Sequence, residues 1–175
     1  MYIPAQPLEI LVGERLRRLQ LKLALAESCT GGLLSHLITN VPGASDYYLG
    51  GVTAYSNVAK IDLLGVKQST LDCAGTVSEE SVIQMASGIR RVFSSAYPAE
   101  RIVGLSISGI AGPDGGSVEK PIGLVWIGLC SSSGEAAYHH RFSGNRRAIK
   151  TQSAQTALTH LLTWLEQLET YIHTE

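Results

Sequence analysis

Leu8, Leu11, Val12, Leu16 and Leu19 recur at helical spacing after Pro7, the pattern of an amphipathic helix with one buried stripe. Arg15, Arg17 and Arg18 crowd its end, where the helix dipole favours cations. The apolar run at 22–26 reads as a strand. A helical pattern then leads from Leu33 to about Asn40, and Pro42-Gly43-Ala44-Ser45 breaks it. Residues 49–55 read as a short strand whose two glycines, Gly50 and Gly51, let another backbone come close.

Ser56-Asn57 offers an N-cap to a helix carrying Val58, Ile61, Leu63 and Leu64, with Gly65 as its stop. A short helix fits 69–73. Ser78-Glu79-Glu80 opens a longer one with an apolar stripe through Val82, Met85, Ile89 and Val92, ended by Tyr97-Pro98. Residues 101–108 carry apolar side chains at both parities, which predicts a central strand. Segments 122–130 and 135–142 read as strands joined through Ser131-Ser132-Ser133-Gly134, a hairpin signal. Ser143-Gly144-Asn145 introduces a last helix reaching about Tyr171. Strands alternating with helices, plus one hairpin, predict an α/β protein: a three-layer α/β/α sandwich with a mixed, mostly parallel sheet and one antiparallel hairpin.

Composition narrows the function classes. The chain has 175 residues, 45% of them hydrophobic and 17% charged, which suits a single globular domain over 1–175. A net charge of −1 gives no broad basic field, so nucleic acid is not an expected partner. Cys29, Cys73 and Cys130 are odd in number and widely spaced, which fits reduced thiols in a cytoplasmic protein. The five histidines form no metal-ligand spacing, and neither a metal nor another cofactor is expected. Met1-Tyr2-Ile3-Pro4 carries no signal-peptide pattern, and no apolar run approaches a membrane span of roughly 20 residues.

Four polar, glycine-rich segments sit at the ends of apolar elements. In Glu27-Ser28-Cys29-Thr30-Gly31-Gly32 a strand turns into a helix. Unpaired N–H groups there can hold an anion or a developing oxyanion, although Ser28 or Thr30 as a helix cap explains the same residues. In Tyr55-Ser56-Asn57-Val58-Ala59-Lys60 a lysine lies within one turn of a helix start. A free lysine near pKa ~10.4 is less than about one part in a thousand neutral at pH 7. Lowered to roughly 8 by burial and the dipole, about a tenth is neutral, enough to take a proton from a serine. A solvated surface lysine is the alternative. Ser108-Gly109-Ile110-Ala111-Gly112-Pro113 follows the central strand, where open α/β sheets bind ligands, unless it is only a crossover loop. Arg146 and Lys150, four apart in the last helix, could clamp a phosphate or form a solvated basic turn.

Taken together, Ala26-Glu27-Ser28-Cys29-Thr30-Gly31-Gly32, Tyr55-Ser56-Asn57 with Lys60, Leu64-Gly65-Val66, Val77-Ser78-Glu79, the run from Ser106 to Gly116, Lys120-Pro121-Ile122-Gly123 and Phe142-Ser143-Gly144 closely resemble the C-terminal domain of the competence-damage-inducible CinA proteins. That domain is also found alone as nicotinamide-nucleotide amidohydrolase. The larger CinA proteins carry an extra N-terminal domain, for which this chain has no room. The resemblance implies hydrolysis of the carboxamide of nicotinamide mononucleotide, giving nicotinic acid mononucleotide and ammonia. It implies Ser28 as nucleophile, Lys60 as general base and Tyr55 as an orienting group. It further implies the backbone around Thr30, Gly31 and Gly32 as oxyanion hole, the Ser108–Gly112 stretch (Ser108, Gly109, Ile110, Ala111, Gly112) as nucleotide pocket, and Arg146 with Lys150 on the phosphate. A homodimer is implied in the same way. The family pattern has an acidic residue where Asn145 stands, an arginine at Lys150 and often a small hydroxyl residue at Leu124. Two other readings compete: Cys29 as the nucleophile, and a catalytically silent nucleotide-binding regulatory module of the same fold.

Overall fold

The computed structural model describes residues 6–172; residues 1–4, to which the signal-peptide expectation refers, lie outside them. Helix α1 (Leu8–Arg18) precedes strand β1 (Lys22–Glu27), followed by α2 (Leu33–Thr39) and β2 (Tyr48–Thr53). Helices α3 (Asn57–Leu64), α4 (Gln68–Cys73) and α5 (Glu79–Phe93) lead to β3 (Ile102–Gly109). The hairpin of β4 (Leu124–Ser131) and β5 (Gly134–Arg141) and the long α6 (Arg146–Ile172) complete the chain. The strand order is β2-β1-β3-β4-β5. β1 pairs parallel with both β2 and β3, while β3–β4 and β4–β5 are antiparallel. Four strands therefore point one way and β4 alone is reversed.

The two sheet faces are covered by different helices. Val12 and Leu16 of α1, Leu34 and Ile38 of α2, and Ile149, Leu158 and Leu161 of α6 pack with Leu23, Leu25, Leu105 and Ile127. On the other face, Leu64, Met85 and Ile89 pack with Ala24, Ala26 and Ile102. The alternation of β1 and the double-sided burial of β3 produce this sandwich directly. α2 carries the chain from β1 to β2 over one face, and α3–α5 carry it from β2 back past β1 to β3 over the other. That makes the carboxyl ends of β1 and β3 a switch point, where such sheets open a crevice. β5 runs in the direction of β3, so it delivers the start of α6 to the same edge.

Among the boundaries that differ from the sequence pattern, two are the ends of α5 and β2. α5 stops at Phe93, before Tyr97-Pro98, because Ser94 and Ala96 already turn back onto Arg91 and Phe93 carbonyls. β2 stops at Thr53, leaving Tyr55 59% exposed beyond the sheet edge. His139 and His140 face opposite sides, the first against Trp126 and the second 2.8 Å from His160 Nε2.

One glycine fixes the approach of α5 to α3. A Cβ on Gly88 would sit 1.9 Å from the Leu64 carbonyl oxygen, a backbone atom with nowhere to go. Gly88→Ala is expected to cost about 2–3 kcal/mol by overpacking, measured as a lower urea midpoint. Leu64 closes the helix that carries Lys60, so the substitution disturbs the site as well as the core.

Candidate active site

Ser28 sits one residue beyond β1, its N–H donating to the Ile107 carbonyl at 3.0 Å, so the β1–β3 ladder carries it to the crevice. Two consecutive glycines with positive φ, Gly31 at 60° and Gly32 at 92°, then turn the chain into α2; only glycine adopts that pair freely. Neither Ser28 nor Thr30 caps this helix. The buried Glu27 carboxylate does, accepting the N–H groups of Gly32 (3.0 Å), Leu34 (3.0 Å) and Ser35 (2.8 Å) and the Ser35 hydroxyl (2.6 Å). The Ser28 hydroxyl is thereby left for chemistry.

Lys60 lies on the first turn of α3, whose start is capped by the Ser56 hydroxyl accepting the Ala59 N–H. Its side chain is 1% exposed. Nζ donates to Ser28 Oγ and to the Ala54 carbonyl, both at 3.0 Å. Burial pushes its pKa below the usual lysine value, against a smaller opposing effect of the neighbouring Cys29. No carboxylate forms an ion pair with it among the described residues. The site thus holds a desolvated amine in hydrogen-bond contact with a serine hydroxyl, the arrangement of a nucleophile with its base.

Cys29 is buried, and desolvation pushes its thiol up to about 12. It is a neutral thiol at physiological pH, and the thiolate is the nucleophilic form. The structure therefore weighs against the cysteine reading.

A pocket of about 200 Å³ opens over Ser28 and Lys60. Tyr55, Ser108, Gly109, Ala111 and Arg146 line it, as do Asn57, Thr76 and Val77, to which the sequence pattern assigned no site role. Thr76 was reachable from the sequence only through its neighbours: its carbonyl accepts the Ser108 hydroxyl at 2.8 Å, and Val77-Ser78-Glu79 was already part of the family pattern. Arg146 ties the mouth together, donating to the Gly112 carbonyl at 2.7 Å and to the Tyr55 hydroxyl at 2.6 Å. Ile110 does not line the pocket; its backbone exchanges hydrogen bonds with Leu124 and Gly123. Gly112 contributes its carbonyl alone.

Two of the three expected oxyanion donors, Gly31 and Gly32, are already engaged. The Gly31 N–H donates to the Ser28 carbonyl and the Gly32 N–H to Glu27. Among the described residues, the N–H groups of the turn left without a protein oxygen are those of Cys29 and Thr30. Thr30, Gly31, Gly32 and Lys150 line a neighbouring hollow instead. Arg146 and Lys150 follow one another by one turn of α6 but open onto different hollows. Asn145 does the work of a capping acid, its Oδ1 accepting the Ala148 N–H at 3.0 Å. Leu124 lies outside the Ser28 pocket, beside Trp126 and Lys120.

The fold and the site define an α/β protein with a buried serine–lysine pair at the carboxyl edge of a mixed sheet. The sequence profile of the CinA C-terminal domain matches residues 5–165. A putative competence-damage inducible protein of Moorella thermoacetica is 47% identical over 151 residues, covering 86% of this chain and 35% of that protein. A CinA-like protein of Thermotoga maritima is 46% identical over 147 residues, covering 84% and 34%. The chain spans about a third of the length of these relatives. The crystal structure of a CinA superfamily protein from Enterobacter cloacae has a TM-score of 0.84 at 31% identity, covering 94% of this chain and 96% of that one. That of a competence/damage inducible protein from Agrobacterium tumefaciens has 0.78 at 35%, covering 95% and 99%. The chain belongs to the CinA C-terminal domain family.

Proposed function

We propose that the protein is an amidohydrolase that converts nicotinamide mononucleotide to nicotinic acid mononucleotide and ammonia. The observation that carries this reading is the 3.0 Å contact between Ser28 Oγ and a buried Lys60 amine whose pKa burial lowers. In the neutral form the Lys60 lone pair takes the hydroxyl proton as Ser28 Oγ attacks the carboxamide carbon. The carbonyl oxygen becomes an oxyanion, for which Cys29, on the pocket wall, offers an unengaged N–H. The Lys60 ammonium then returns the proton to the amide nitrogen, the C–N bond breaks and ammonia leaves. A water molecule, deprotonated by Lys60, hydrolyses the ester on Ser28 and releases the acid. No cofactor is needed for any of these steps. Tyr55 and Arg146 frame the mouth and hold the body of the nucleotide against the Gly109–Gly112 loop.

Incubating the purified protein with nicotinamide mononucleotide should release ammonia and the acid mononucleotide in equal amounts. No release at saturating substrate sinks the proposal, and tight calorimetric binding without product would assign the silent nucleotide-binding module instead. Arg146→Met removes both ties across the mouth while sparing Ser28 and Lys60. It is expected to raise KM about tenfold with kcat changed much less, read from steady-state kinetics. We further expect a homodimer, which light scattering would reject by finding a monomer.

A further inference from the structure

Lys120-Pro121-Ile122-Gly123 belongs to the family pattern, yet none of the chemistry above uses it. Lys120 is half-buried in the loop that joins β3 to β4. Its Nζ donates to the Val77 carbonyl at 2.9 Å and to the Ala74 carbonyl. Gly75 lies between these two acceptors with φ 80°, and a Cβ there would come 2.8 Å from Nζ. The ammonium therefore rests on bare backbone. Ser117 anchors Lys120 in turn, its Oγ accepting the Lys120 N–H and its own N–H donating to the Lys120 carbonyl, both at 2.9 Å. The carbonyls between α4 and α5 are all taken by side chains: Ala74 and Val77 by Lys120, Gly75 by the Ser78 hydroxyl and Thr76 by the Ser108 hydroxyl. No helix or sheet ladder holds this turn, so its shape depends on those donors, and Lys120 supplies two of the four bonds.

The turn matters because Thr76 and Val77 line the Ser28 pocket together with Ser108. Ser108 is 1% exposed, and its hydroxyl donates to the Thr76 carbonyl at 2.8 Å. A serine hydroxyl has one hydrogen. With that hydrogen committed to Thr76, Ser108 Oγ meets a ligand only as an acceptor. An acceptor in a buried site separates a carboxamide, whose NH2 donates, from a carboxylate, which brings only acceptor oxygens and a negative charge. The substrate and the product of the proposed reaction differ in this group alone. Lys120 lies outside the pocket lining, and its ammonium bonds neither Ser28 nor Lys60. It acts on the pocket through the turn.

We propose that Lys120 is a positioning residue for the selection of amide over acid. It fixes the 74–77 turn, the turn fixes the Thr76 carbonyl, and that carbonyl holds Ser108 Oγ as the acceptor for the substrate's amide nitrogen. The inference rests on the nicotinamide mononucleotide reading. Its test compares calorimetric binding of nicotinamide mononucleotide and nicotinic acid mononucleotide to the Ser28→Ala protein, which separates recognition from turnover. The amide should bind about tenfold tighter or more. Lys120→Met, which keeps the aliphatic stem, should bring the two affinities within about threefold of each other, chiefly by weakening the amide. Lys120→Gln keeps a donor for one carbonyl and should give an intermediate ratio, so the proposal stays testable if the Met variant does not fold. Ser108→Ala should also remove the preference, and adding it to Lys120→Met should change the ratio no further, because both act through one acceptor. A lysine that only supports the fold weakens both nucleotides alike. A ratio unchanged in the folded Lys120 variants, independent addition of the Lys120 and Ser108 effects, or no amide preference in the starting protein overturns the proposal. Amide-selective binding without ammonia release by the wild type removes the amidohydrolase reading alone, whereas failure of nicotinamide mononucleotide to bind overturns both.

Discussion

Ser28→Ala and Lys60→Met are each expected to reduce ammonia release from nicotinamide mononucleotide by about a thousandfold or more. The two groups form one hydrogen-bonded unit, so the double variant should be no worse than either single one. Retention of a tenth of the wild-type rate in either single variant would remove the pair from the mechanism. The pH dependence adds an independent check. Because burial lowers the Lys60 pKa from 10.5, kcat/KM should rise with pH along a limb whose midpoint lies below that value. Stability follows the same group. Below the folded pKa, lysine is protonated in both states and the folded protein bears the full cost of burying the charge. Between the folded pKa and 10.5 only the unfolded chain binds the proton, so stability rises with pH. Lys60→Met removes this dependence and should gain on the wild type as pH falls. Against that gain, the Ala54 carbonyl loses its donor, a loss that is the same at every pH.

What the sequence made legible, and what it did not, follows the range of the forces involved. Every strand and helix of the sheet sandwich was readable because burial imposes period 2 or 3.6 on neighbouring residues. Stops depended on local chemistry: Gly65 ended α3 through its positive φ of 66°, whereas Pro98 did not end α5 because carbonyl-capping turns intervened first. Ser28 and Lys60 could be singled out by their placement at two strand–helix junctions, but their 3.0 Å contact depends on β1 and β2 being neighbours, which no local pattern encodes. Lys60's burial was anticipated together with a helix-dipole effect; desolvation by the surrounding core is the cause that dominates. The division of Arg146 from Lys150 was invisible for a similar reason. Spacing of four places both on one helix face, yet they line different hollows, Arg146 with Ser28 and Lys60, Lys150 with Gly31 and Gly32. Thr76 reaches the pocket through the hydrogen bond from Ser108 to its carbonyl, a tertiary contact over 32 residues.

Glu27 is the residue whose role only the three-dimensional structure supplies, and its removal carries the largest expected stability effect. Its carboxylate satisfies three backbone N–H groups and one hydroxyl, and it is 1% exposed. Glu27→Ala leaves those donors without a partner at the start of α2, partly within reach of water at Gly32 and Ser35. The expected loss is about 3–5 kcal/mol, a large share of the stability of a domain, and is measured by urea denaturation. Glu27→Gln keeps one acceptor oxygen and turns the second into a donor facing donors, so about half of that loss is expected. Kinetics in this milder variant separate capping from a direct role in the base. Glu27 makes no hydrogen bond to Lys60, whose two acceptors are Ser28 Oγ and the Ala54 carbonyl. The rising pH limb of the folded Glu27→Gln protein should therefore keep its wild-type midpoint while kcat falls, because the turn that presents Ser28 is loosened. A displaced midpoint would show instead that the carboxylate tunes the lysine directly.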